Sequence, residues 1–141
     1  MRGVNRRVGW DTSPPRYTTM ASEYNAEPAV HPDDLVVVLT SCPDDEQAEA
    51  IARVMVEARV AACVTVLPAA VSYYRWRGAL ERSLERHLVV KTTRGQVPAL
   101  EAFLAAQHPY EVPELLVLTA DGADAYAAWV RSETGTPGAT R

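Results

Sequence analysis

Leu88-Val89-Val90-Lys91-Thr92-Thr93 closes a stretch, residues 80–93, whose reading decides the fold. Earlier in that stretch Glu81, Arg82, Glu85 and Arg86 stand at the spacings of a charged helix face. The closing run is rich in β-branched residues and favours a strand. Taken as a strand after a turn at Gly78, the stretch becomes the second arm of a hairpin. Its first arm is 61–75, interrupted at Leu67-Pro68-Ala69-Ala70, where the proline predicts a sheet edge or a bulge.

Toward the N-terminus, Leu35-Val36-Val37-Val38-Leu39-Thr40 has the length and composition of a buried strand, ended by Cys42-Pro43. Pro43 suits the first position of a helix, and Asp44, Asp45 and Glu46 suit its first turn, where the helix dipole favours carboxylates. Ala48, Ile51, Ala52, Met55 and Ala58 then trace one apolar face. Toward the C-terminus, Pro98 opens a second helix with Val97, Leu100 and Leu104 inward. A fourth strand spans 114–119, Asp121-Gly122 turns the chain, and a short final helix carries Tyr126, Trp129 and Val130 on one face. The order βαββαβ plus a helix predicts an α+β, ferredoxin-like antiparallel sheet with helices on one face. The other face is then bare and apolar, which predicts a cover, most simply another copy of the chain.

The 141 residues are 48% apolar and 23% charged, enough for a real core. A net charge of −4 argues against a nucleic-acid surface, and no apolar run reaches the length of a membrane span. Two cysteines do not make a disulfide framework, and the expected location is cytoplasmic. Lys91 is the one lysine beside thirteen arginines. Residues 1–34 lack hydrophobic periodicity, hold Pro14, Pro15, Pro28 and Pro32, and carry Arg2, Arg6, Arg7 and Arg16 without the apolar core of a secretory signal. They are expected to be a disordered arm, with Met20 as an alternative start; 35–131 is the domain, and 132–141 a disordered tail.

The topology brings Cys42, Asp44, Asp45, Tyr74, Trp76, His108, Tyr110 and Glu111 to one end of the sheet. Cys63 falls at the other end, about 20 Å away, too far for a disulfide with Cys42. A thiolate, an imidazole and carboxylates at one end, as Cys42, His108, Asp44, Asp45 and Glu111 would supply, suit copper or zinc. Bland roles compete: a small apolar Cys42 at a strand end, His108 as a helix cap, Tyr74 and Trp76 as packing. His31 lies in the expected arm and His87 mid-strand, at the surface or an interface. No paired-cysteine or paired-histidine motif, phosphate-binding glycine loop or nucleophile elbow is present, and residues 84–92 lack the aromatics of an RNA-binding sheet. No catalytic residue and no organic cofactor are expected.

Ser72-Tyr73-Tyr74-Arg75-Trp76-Arg77-Gly78, Glu85 six residues before Lys91-Thr92, and His108-Pro109-Tyr110-Glu111-Val112-Pro113-Glu114 together resemble the CutA family of divalent-cation tolerance proteins. Gln47-Ala48 with Ile51-Ala52, and Ala61-Ala62-Cys63, fit the same pattern. The resemblance implies a homotrimer with hairpins crossing between subunits, a link to tolerance of copper and other divalent metals with His108 as the first metal ligand and Cys42 and Glu111 as helpers, and no established reaction. In some members a cysteine associated with metal stands where this chain has Thr40; here the thiol is Cys42, displaced about 6.6 Å along the same sheet face. The family's trimer also resembles PII-type signalling proteins, which implies a second role: a small anionic ligand at the cleft between subunits, near Tyr74, Trp76, Lys91 and Tyr110. A third is a structural trimer with adventitious metal binding.

Overall fold

A computed structural model describes residues 30–135. The expected arm up to residue 29, with the alternative start at Met20, and the tail from 136 lie outside the described residues. Strand β1 is Leu35–Cys42, helix α1 Asp45–Glu57, β2 Cys63–Val66, β3 Ala70–Trp76, β4 Ala79–Thr93, α2 Val97–Gln107, β5 Leu116–Thr119 and α3 Asp124–Glu133. The sheet runs in the order β2-β4-β1-β5, every pair antiparallel, with β3 pairing only with β4. This is the ferredoxin-like arrangement, with the expected second strand divided into β2 and β3.

Residues 80–93 are strand throughout, despite their helical charge spacing. Eight residues of β4 pair with β1, and that long ladder outweighs a few exposed ion pairs. Val36, Val38 and Cys42 on β1, with Leu88 and Val90 on β4, face α1 and α2 and pack on Ile51, Met55, Leu100 and Leu104. The opposite face carries Val37, Leu39 and Val89, partly buried, and Leu116 and Leu118, about half exposed. The bare apolar face expected of this topology is therefore present in the single chain.

Two local expectations change. Asp44 has extended backbone and accepts from the Gln47 N–H at 2.8 Å, so it caps α1 and Pro43 stands before the helix rather than at its first position. In α3 the buried pair is Ala127 and Val130, which pack with Leu35 and Ala62. Tyr126 and Trp129 stay about 40% exposed and stack on each other instead. Contacts also reach past 35–131. The Arg94 and Gly95 amides in the β4–α2 turn need acceptors and take the Asp34 and Pro32 carbonyls. At the far end the Gly135 N–H donates to the Arg59 carbonyl.

Beyond Cys42, the last β1 residue paired with β4, the β3–β4 hairpin continues alone. Seven residue pairs, from Ala70 with Glu85 to Trp76 with Ala79, make an arm about 20 Å long. Its turn, Arg77-Gly78, has positive φ at both residues (48° and 79°), the two-residue hairpin loop whose twist matches the strands.

Candidate functional site

Pro68 marks a bulge. Val66 pairs with Leu88 and Ala70 with Glu85, so four steps along β2–β3 oppose three along β4. The extra residue resets the alternation. Odd-numbered residues of β4 sit opposite odd residues of β2 but opposite even residues of β3. Ser72, Tyr74 and Trp76 therefore share a face with Glu81 and Glu85, in continuity with the open face of the sheet. Tyr73 turns the other way and accepts a 3.2 Å hydrogen bond from Arg82 Nε.

At the end of β1, Cys42 Sγ lies 3.9 Å from His108 Nε2, both side chains buried. His108 ends α2, its own N–H bonding to the Leu104 carbonyl. The Tyr110 N–H donates to Nδ1 at 3.0 Å. A backbone N–H only donates, so the neutral ring carries its proton on Nε2, which gives it to the Ser41 carbonyl at 2.6 Å. Burial, and then the negative charges of Asp44 and Glu85, push the Cys42 thiol up to about 11. It is a protonated, unreactive thiol at neutral pH.

The segment from Pro109 to Glu114 lies along the hairpin arm and, with Ser41, Tyr74, Trp76, Glu81, Glu85 and His87, lines an open cavity of about 630 Å³. Glu85 is buried; Ser41 Oγ and Tyr110 Oη both donate to its Oε2, at 3.1 and 3.2 Å. Burial, and then the Glu85 charge, push the Tyr110 phenol up to about 12, so it remains a donor. Glu114 and Glu111 complete the acidic lining, Glu114 beside His87 Nδ1 at 3.9 Å and Glu111 bonded to Arg77 at 3.0 Å.

Residues 36–133 match the family described as CutA1 divalent ion tolerance protein. The chain belongs to the CutA1 family. It is 44% identical over 100 residues to the divalent-cation tolerance protein CutA of Pectobacterium atrosepticum, covering 70% of this chain and 91% of that one. Among solved structures, CutA of Xylella fastidiosa superposes with a TM-score of 0.70 at 42% identity, over 72% of this chain and 99% of that one. The Thermus thermophilus protein gives 0.70 at 43%, with the same coverage.

Within this CutA1 chain the expected residues divide into groups. Cys42 and His108 come together, while Glu111 stands apart on the exposed rim, engaged by Arg77. Tyr74, Trp76 and Tyr110 line the cavity. Lys91 does not: it sits six β4 residues from Glu85, about 20 Å, and donates to Thr65 Oγ1 at 2.7 Å. Asp44 caps α1 and Asp45 pairs with Arg86 at 3.1 Å. Four carboxylates and one imidazole line the single-chain cavity. Residue-by-residue reading missed Glu85, which it placed only among the helix-like charge spacings of 81–86; only the family pattern singled it out. Both cysteines are free, Cys42 buried and Cys63 partly buried. Among the described residues no helix is long and apolar enough to cross a membrane.

Proposed function

We propose that this chain serves divalent-cation tolerance by binding metal itself, as a cytoplasmic homotrimer, with copper held between Cys42 and His108. The observation that carries this reading is the 3.9 Å separation of Cys42 Sγ and His108 Nε2. Ordinary metal–sulfur and metal–nitrogen bonds, about 2.3 and 2.0 Å, span that gap. A thiolate and an imidazole form a soft donor pair suited to copper. Glu111 is not close to them, and among the described residues no three His, Cys, Asp or Glu side chains stand together as a metal cage. The site is therefore a two-donor pair. The open face bearing Leu116 and Leu118 supports association between copies. The role is one of binding, with no reaction assigned.

Occupancy of this pair requires two local changes. His108 Nε2 must release the Ser41 carbonyl, and the Cys42 proton must leave. Affinity therefore rises with pH, about tenfold per unit while the thiol is protonated. Titrating the protein with copper and zinc, beside Cys42→Ala and His108→Ala, tests this. Binding with proton release, lost in both variants, is the expected result. Binding that survives both substitutions would make the link to metal tolerance indirect.

A further inference from the structure

On the helix side of the sheet, away from the face assigned to contact between copies, α1 and α2 leave an open groove of about 310 Å³. Ala50, Ile51 and Val54 of α1 and Phe103 of α2 line it, together with Gln47 and Gln107, and Val54 is 42% exposed. A surface helix ordinarily turns charged residues to water. Helix α2 instead exposes Ala99, Ala102, Ala105 and Ala106 and carries one charge, Glu101. On α1, Glu46 stands four residues before Ala50 and Glu57 three after Val54, both exposed, so they border the groove. Arg53 is the only cation on either helix. An apolar groove with acidic borders fits an occupant that is apolar at its centre and basic around it.

The chain itself carries such a segment. Residues 1–19 hold Trp10 among Arg2, Arg6, Arg7 and Arg16, with Asp11 as their one acid. The chain enters the described residues beside α2, because the Gly95 N–H, two residues before that helix, donates to the Pro32 carbonyl at 2.8 Å. Helix α2 is about 16 Å long, and the chain from Trp10 to Val30 can span up to about 66 Å, so Trp10 reaches the groove. We infer that residues 1–19 dock on the α1–α2 groove of their own chain, with the Trp10 ring over Val54 and Phe103 and the arginines against Glu46 and Glu57. The ring covers apolar surface that is otherwise wet. The ion pairs are exposed and individually weak, so they steer the segment while the ring anchors it. The arm expected to be disordered is then a strap across the helix side, clear of the face between copies.

Limited trypsin digestion of the full chain, with cleavage at Arg16 followed by mass spectrometry, tests this. Cleavage tracks the undocked fraction, so the parent should be cut at Arg16 about fivefold more slowly than Val54→Lys. That variant puts a cation into the groove at an exposed position, and circular dichroism checks its fold. Trp10→Ala, outside the described residues, should speed cleavage equally and yields the Trp10 emission by difference. In the parent that emission should lie to the blue of a water-exposed indole. The advantage of the parent should shrink in about 0.5 M sodium chloride, which screens the arginines. Equal cleavage of the three proteins, a difference indifferent to salt, or Trp10 emission at the wavelength of a water-exposed indole would each overturn the inference. So would a fall in scattering mass with Val54→Lys at unchanged cleavage, which would give the groove to a second copy.

Discussion

Thr40 shows what one position does to this fold. It is fully buried on the helix face of β1, and its Oγ1 has no hydrogen-bond partner among the described residues. An unpaired buried hydroxyl costs of order 1–3 kcal/mol. Thr40→Val keeps the shape and removes the cost, so it should stabilise the chain by about 1 kcal/mol, measured as a higher denaturant midpoint at unchanged slope. Cys42, two residues on, is linked to pH. Its folded pKa is raised from 9.0 to about 11, so its contribution to stability is complete below pH 9 and is lost as pH rises toward 11. Tyr110 adds a second fall between pH 10 and about 12. Melting temperatures across pH 8–11 should drop more steeply for the parent than for Cys42→Ala; equal slopes would contradict the burial of the thiol. Arg59 belongs at this scale too. It takes the left-handed position (φ 60°) that ends α1, where glycine is usual, and its guanidinium bonds the carbonyls of Ser132 and Gly135.

Among the elements, the hairpin arm is the most demanding. Its register rests on a two-residue turn in which both residues have positive φ. A Cβ at Gly78 would meet nothing within 4 Å, so the cost of a side chain there is backbone strain alone. Gly78→Ala should cost about 1 kcal/mol, and Gly78→Asn less, by denaturant titration. Equal stability of all three would mean the arm is not held in this turn. The arm also shows the limits of pattern reading. Pro68 announced an edge or a bulge, but which of them, the count of residues on each side, and so the face taken by Tyr74 and Trp76, depended on pairing with β4. The helices were legible from their apolar spacing, yet the face of α3 was not. Tyr126 and Trp129 are the larger hydrophobes, but the contact with Leu35 and Ala62 is made by Ala127 and Val130.

At the scale of the whole molecule, one face of the sheet is covered by α1 and α2, and the other presents Leu116 and Leu118 to solvent in the single chain. In the proposed trimer, burying this face would hold each copy against its neighbours. Light scattering at micromolar concentration should give about three times the mass of one chain. Leu118→Glu places a charge on that face and should shift the protein toward monomer, because an unpaired carboxylate resists burial. A parent protein that scatters as a monomer would sink the trimer and the reading of the open face together.

Local physics was enough for the strands, the helices and their order, because alternation and the 3.6-residue repeat are properties of neighbouring residues. It also placed Cys42 with His108, because antiparallel topology alone brings the end of the first strand to the end of the second helix. The setting of Glu85 was a tertiary matter. Its donors, Ser41 and Tyr110, lie 44 and 25 residues away, and no local spacing records them. The same holds for the tautomer of the His108 ring, set by the Ser41 carbonyl and the Tyr110 amide, and for the acidity of the cavity lining, which draws carboxylates from the hairpin arm and the 109–114 segment. Sequence determined which groups this chain carries; folding decided which of them meet, because burial and hydrogen bonding act between residues that only the tertiary structure makes neighbours.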